Sequence, residues 1–248
     1  MNNLTFNALT GKDIDQIIAS KAYKCSSDAS HANAQKLVQD WFCYHYDRLI
    51  SLPDLYKWEN LEKTLLVGEG NFSFAKCLLL KPRSGITSMT ATTFDDPRSL
   101  PADAQDNIAT LKQLGASILY NIDAMKLNNF FHREDFDTII FQFPNVGSRD
   151  PKYGHNPNHI LLRRFLKSSR NLLKLDGKII VTTVDNPHYE GAFQYDKAAQ
   201  FAGLTQPERY GFDPEMFPEY SHTNTHDDQS AISHHQNFVT LIFKSDLS

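Results

Sequence analysis

Thr64-Leu65-Leu66-Val67-Gly68-Glu69-Gly70-Asn71-Phe72-Ser73 decides how the chain is read. A short apolar run stops at Gly68, and a helical pattern from Phe72 to Leu80 follows. The two glycines therefore sit between a buried strand and a helix, where a backbone approaches a ligand most closely without a Cβ in the way. A phosphate-binding P-loop would end in Gly-Lys-Ser/Thr, and a dinucleotide fingerprint would carry a third glycine where this chain has Ser73. Glu69 repels a pyrophosphate but can pair with an ammonium, which favours the methionine end of S-adenosylmethionine (SAM) over a dinucleotide. A tight turn without a ligand is the bland alternative.

Outward from this loop the pattern alternates between strand and helix. Strands are expected at Thr64 to Val67, Ile86 to Thr93, Ser117 to Tyr120, Phe136 to Phe143 and Lys178 to Val184. Helices are expected at Asp103 to Leu114, Pro157 to Leu175 and Phe193 to Phe201. The run Phe136-Asp137-Thr138-Ile139-Ile140-Phe141-Gln142-Phe143 is nearly continuous apolar sequence, as a central parallel strand covered on both faces requires. Asp213 to Gln236 is too polar and irregular for a crossover helix. Phe238 to Phe243 is therefore expected to pair antiparallel with a strand near Thr205 to Tyr210. The expectation is an α/β fold: a mainly parallel seven-stranded sheet ending in an antiparallel hairpin, the pattern of a class I SAM-dependent methyltransferase, with an N-terminal helical extension.

Residues 1–60 read as that extension and 61–248 as the Rossmann-like domain. Leu37, Val38, Trp41, Phe42, Tyr44, His45 and Leu49 form an apolar stripe at helical spacing before Pro53, suited to a layer packed on the core or to a lid. The chain has 248 residues, 41% hydrophobic and 22% charged, with net charge -4. That profile excludes disorder and gives no global attraction for a polyanion. Cys25, Cys43 and Cys77 lack disulfide or zinc spacing. No run of about 20 apolar residues spans a bilayer, and the N-terminal stretch lacks a signal-peptide core, so a cytoplasmic protein without membrane contact is expected.

Asp95 and Asp123 follow the second and third strands, where carboxylates reach ribose hydroxyls and an adenine amine; either can instead cap a helix. Arg163, Lys167, Arg170 and Lys174 form a basic stripe able to hold phosphates or simply face solvent. His222, His226, His234 and His235 with Asp227 and Asp228 invite a metal, but their segment is a poor helix and no cysteine joins them; no metal is expected. Phe143, Asn145, Tyr153, Asp185, Asn186, His188, Tyr189, Tyr195 and Tyr220 are placed around the methyl-donor site, because aromatic faces suit a sulfonium cation.

The stretches VGEGNFSFA (67–75), ATTFDD (91–96), LGASILYNIDAMKL (114–127), FDTIIFQFPNVGSRD (136–150) and NHILLRRFLKSSRNLLKLDGKIIVT (158–182) together resemble the ribosomal RNA uracil-N3 methyltransferase-like family over roughly 61–243. The resemblance implies SAM as cofactor, held by Gly68, Glu69, Gly70, Asn71, Phe72 and Ser73. Asp95 and the Asp123-Ala124 pair extend that cofactor set. Asn145, Phe143, Tyr189 and His188 are the catalytic candidates, Asn145 orienting an amine or imide and His188 acting as base. Two departures stand out. The family's Asn-Phe-Pro-His is Gln142-Phe143-Pro144-Asn145 here, and a Tyr-Pro-Gly-Tyr segment followed by basic residues is Phe217-Pro218-Glu219-Tyr220-Ser221-His222-Thr223. The second removes positive charge that RNA favours. The acceptor is therefore open between RNA and a small molecule. A competing reaction is also open, in which the α-amine of SAM attacks its own γ-carbon, giving azetidine-2-carboxylate and methylthioadenosine. A SAM-binding module without activity is the remaining alternative.

Overall fold

A computed structural model describes residues 55–148, 150–152, 154–222 and 237–245. The helical stripe between Ala29 and Ile50, the base of the extension, Tyr153 and the histidines beyond His222 lie outside them. Seven strands form one sheet in the order β3-β2-β1-β4-β5-β7-β6. These are β1 (Glu62–Val67), β2 (Ile86–Thr92), β3 (Ser117–Leu119), β4 (Phe136–Gln142), β5 (Leu173–Val184), β6 (Glu208–Gly211) and β7 (Phe238–Lys244). The first five are parallel, and β7 runs antiparallel between β5 and β6. This is the class I methyltransferase architecture expected from the alternating pattern and the polar stretch before the last strand.

The central strands bury both faces, and alternate residues feed two cores. Leu65, Val67, Ile139, Phe141, Ile179 and Val181 point toward α3 (Pro157–Arg170) and α5 (Tyr195–Ala202), meeting Leu162, Phe165 and Ala198. Leu66, Ile140 and Ile180 point the other way, toward α1 (Ser73–Leu80) and α2 (Ala102–Gln113), meeting Phe74, Leu78, Ile108 and Leu111. Ahead of β1, Trp58 is fully buried in the second core, with its ring 5.5 Å from Phe74 and 5.5 Å from Phe217.

Two boundaries differ from the sequence expectation. The helix from Pro157 ends at Arg170, and β5 begins at Leu173 rather than Lys178. Leu172 and Leu173 are buried, and Leu173 lies opposite Phe136 while Lys178 lies opposite Thr138. The residues between, with Asp176 and Gly177, are absorbed as a bulge in one long strand and not as a turn that starts it. The helix expected over Phe193 to Phe201 is two, α4 (Pro187–Phe193) and α5, because Gln194 takes a left-handed backbone (φ 49°) and breaks the hydrogen-bond ladder. Asn186 caps α4 by accepting from the Tyr189 N–H at 3.0 Å, a competent start that the pattern alone did not reveal.

Candidate functional site

The chain builds outward from β1 through β2 to β3, then returns to place β4 on the other side of β1. A crevice opens at the carboxyl ends of these strands. It forms a cavity of about 660 Å³ lined by the β1 loop, the ends of β2, β3 and β4, and Tyr220, Ser221 and His222. Gly68 explains the close approach. Its φ is +70°, and an added Cβ would stand 2.4 Å from Cε2 of Phe141. The next residue is pinned to the sheet by the Glu69 N–H donating to the Thr92 carbonyl at 2.9 Å. A backbone cradle without side-chain bulk results, as a bound nucleoside requires.

Glu69 is only 5% exposed, and one carboxylate oxygen accepts from the Ala75 N–H in the first turn of α1 at 3.0 Å. No cation pairs with it among the described residues. Burial raises its pKa to about 7, with the Ala75 bond opposing the rise. A ligand ammonium supplies the missing counter-charge, so this residue fits the methionine end of SAM. The linkage has a definite sign. In the folded protein the acid stays protonated to about pH 7, whereas unfolded it ionises near 4.5; the stability it contributes is present below pH 4.5 and lost as pH rises through 7, on the order of 3 kcal/mol. SAM affinity moves oppositely. It rises up to tenfold per pH unit between 5.5 and 7, below the range where an α-amine deprotonates. Glu69→Gln should flatten both dependences, checked by calorimetry and thermal melts across that range. Affinity that falls with pH in the wild type would contradict the pairing.

The other loop residues divide between lining the cavity and holding it. Gly70 and Asn71 line it, yet the Asn71 side chain is already engaged: Nδ2 donates to Asp103 (2.8 Å) and to the Ser221 hydroxyl (3.0 Å), and Oδ1 accepts from the Ser73 N–H (3.1 Å). Phe72 is fully buried in the second core, in a left-handed backbone, and Ser73 bonds Ser221; neither lines the cavity. They shape the loop from behind. Asp95, Asp123 and Ala124 do line it. Asp95 is exposed at the mouth beside Phe94, a ring 69% exposed. Asp123 fills both of its expected roles, facing the cavity while accepting from the Met125 N–H at 2.9 Å and pairing with Lys126 at 3.4 Å.

At the end of β4 the chain turns sharply, with Phe143 at φ 45°, a strained backbone of the kind that collects at functional sites. Phe143 and Asn145 line the cavity, and Asn145 steadies its own turn by accepting from the Gly147 N–H at 2.9 Å. Gln142 lines it too. It is 8% exposed, and neither its amide nitrogen nor its amide oxygen has a hydrogen-bond partner among the described residues. His188 and Tyr189 are not brought in: His188 is exposed on α4, and Tyr189 stacks on Phe193 at 6.3 Å. Their place at the rim is taken by His222, whose ring packs on Phe143 at 4.9 Å. Sequence reasoning considered His222 only for a metal and Gln142 only as a departure. That departure, a longer amide at the family's asparagine position, was the available signal.

The basic stripe is spent within the fold. Arg163 and Lys167 lie over the Phe201 ring (5.0 and 5.1 Å), Arg170 reaches the Ala202 carbonyl (3.5 Å), and Lys174, on β5 and not on the helix, pairs with Asp137 (2.7 Å). Among the described residues no helix is long and apolar enough to cross a membrane, and no group of His, Cys, Asp or Glu is placed to hold a metal.

Comparison with known proteins agrees with this geometry. The family model for rRNA (uridine-N3-)-methyltransferase BTM5-like matches residues 65–224. The Arabidopsis thaliana protein At4g26485 is 36% identical over 137 residues, covering 50% of this chain and 64% of that protein. The human ferredoxin-fold anticodon-binding domain-containing protein 1 is 33% identical over 164 residues, covering 60% of this chain and 26% of that protein. The 25S rRNA (uridine(2634)-N(3))-methyltransferase of Saccharomyces cerevisiae is 24% identical over 231 residues, covering 69% of this chain and 68% of that protein. The chain thus spans less than two thirds of the length of the first two. With more than half of its residues matched on a sheet of the class I order, and a loop fitted to SAM as cofactor, the chain belongs to the rRNA (uridine-N3-)-methyltransferase BTM5-like family.

Proposed function

We propose that this protein methylates the imide nitrogen of a planar acceptor, uridine N3 in RNA being the acceptor that the family suggests. The observation that carries the reading is Gln142. A buried amide without a partner costs roughly 1–3 kcal/mol for each unsatisfied group, so its retention at a cavity wall points to a ligand that satisfies it. One donor and one acceptor side by side match the edge of an imide.

SAM supplies a methyl group made electrophilic by its sulfonium. Glu69 holds the ammonium, Asp95 and Asp123 are placed for the nucleoside, and Phe94 offers a face for the base. Phe141 and Phe143 wall the cavity with π-faces that attract a cation without competing as nucleophiles. The Gln142 N–H donates to the imide oxygen on which charge grows as the N–H proton leaves. Replacing Gln142 with leucine should lower kcat/KM about 100-fold while stabilising the unliganded protein by about 1–2 kcal/mol. Activity assays and denaturant melts check the pair of effects.

A second reading, the SAM-cleaving cyclase, is favoured by a separate observation. Glu69, Asp95 and Asp123 line the cavity and no Lys or Arg does. The cations nearest its mouth are paired: Lys76 with Glu219 (2.8 Å), Arg98 with Asp96 (2.9 Å), Lys126 with Asp123 (3.4 Å). Such a lining suits a small cationic ligand more than a polyanion. Glu69, titrating at about 7, would then take the ligand's ammonium proton. One incubation separates the readings. Protein, SAM and a uridine-containing RNA oligonucleotide should yield N3-methyluridine and S-adenosylhomocysteine by mass spectrometry, and neither without the oligonucleotide. Methylthioadenosine from SAM alone would replace the first reading with the second. Tight SAM binding without either product would leave a binding module.

A further inference from the structure

We infer that His222 takes the proton from the acceptor nitrogen and that Tyr220 is its positioning residue; this rests on the methyl-transfer reading above. The segment Tyr220-Ser221-His222 is fastened to the first turn of α1. The Ser221 N–H donates to the Ser73 hydroxyl at 3.1 Å, that hydroxyl donates to the Ser221 carbonyl at 3.0 Å, and Asn71 donates to the Ser221 hydroxyl. The Tyr220 ring packs on Phe74 at 5.1 Å, and its phenol oxygen lies 3.2 Å from Nδ1 of His222. The imidazole is therefore held from two sides, by this phenol and by the Phe143 ring, and lines the cavity together with Gln142 and Asn145.

The groups facing the imidazole fit a base. Burial keeps the Tyr220 phenol protonated, with Glu69 and Cys77 adding to the effect. A neutral phenol oxygen accepts from the Nδ1–H tautomer, which leaves the lone pair at Nε2. As the acceptor N–H bond breaks, its electron pair stays on nitrogen to form the new N–CH₃ bond, and the proton joins Nε2. The imidazolium so formed shares a cavity with Glu69, Asp95 and Asp123 and lies against the Phe143 ring, all favourable to positive charge. The carboxylates are worse placed to act: Glu69 is tied to Ala75, Asp123 to Met125 and Lys126, and Asp95 sits at the exposed mouth.

Two measurements on the full chain test this. Ring-nitrogen NMR of the resting protein should show the Nδ1–H tautomer of His222, lost in Tyr220→Phe. With SAM and a uridine-containing oligonucleotide, His222→Gln should lower kcat about 10²–10³-fold, erase the acidic limb of the pH–kcat profile, and leave the calorimetric SAM affinity within about threefold. Tyr220→Phe should shift that limb without erasing it, which loss of packing alone would not do. An Nε2–H tautomer in the wild type, or a His222→Gln enzyme with unchanged rate and pH profile, overturns the assignment. An oligonucleotide left unmethylated by the wild type overturns the acceptor reading and the base with it, whereas methylation at wild-type rate by His222→Gln overturns the base alone.

Discussion

Replacing Gly68 with alanine is expected to weaken SAM binding at least 100-fold and to lower the melting temperature by roughly 5–15 °C. Two costs add. A left-handed backbone carries about 1–2 kcal/mol for a residue with a Cβ. The new methyl would also stand 2.4 Å from Phe141, whose ring cannot simply move away because it packs edge-on against Phe165 at 5.0 Å. Overpacking of this kind costs about 1–3 kcal/mol. The strain is released most cheaply by lifting the loop off the strand ends, which moves Glu69 and Gly70 and closes the cradle. Trimming Phe141 to leucine in the same chain should recover part of the stability, since it removes the obstructing atoms. Calorimetric titration with SAM and thermal melts decide the matter, and a Gly68→Ala protein that binds SAM within threefold of wild type would refute the need for backbone approach.

Trp58→Ala should destabilise by about 3–5 kcal/mol. The indole is fully buried and meets Tyr56, Phe74, Phe212 and Phe217 at centroid distances of 5.3, 5.5, 6.0 and 5.5 Å. Removal leaves a cavity that these rings, attached to four separate segments, cannot collapse to fill. Function should follow stability, because Phe74 lines the ligand cavity and Phe217 leads directly into the Tyr220 segment. Trp58→Phe is the informative partner. The indole N–H has no hydrogen-bond partner among the described residues, so a phenyl ring keeps most of the packing and discards an unsatisfied donor, and should stay within about 1 kcal/mol of wild type. Denaturant unfolding at constant m-value measures both. A Trp58→Ala protein as stable as wild type would show that the segment before β1 lies outside the cooperative core.

The parts of the site legible in sequence were those where local chemistry and location coincide. Gly68 and Glu69 announce a bare turn carrying one acid, and Asp95, Asp123 and Ala124 were found because parallel strands place their carboxyl ends together in any such sheet. Asn71 was chosen rightly as a loop residue, but its amide is turned to Asp103 and Ser221, contacts that no spacing rule predicts. His188 was favoured because it follows the fifth strand, where a base has a short path to the crevice. The helix that begins at Pro187 leaves it exposed instead. The fifth strand was placed too late for a similar reason: Asp176-Gly177 reads as a turn until Leu173 is seen opposite Phe136.

Sequence alone determined the alternation of strand and helix, the reversal that opens a crevice, the antiparallel ending and the ligand loop. Each follows from periodicity, a glycine or a charge within a few neighbouring residues. Tertiary structure decided which polar groups meet the ligand. Gln142 is solitary only because the chain packed around it offers nothing to its amide, and His222 enters the cavity only because Ser73 grips Ser221 from 148 positions away. Such long-range bonds depend on packing of the whole domain, and the short-range pattern of the chain carries no trace of them.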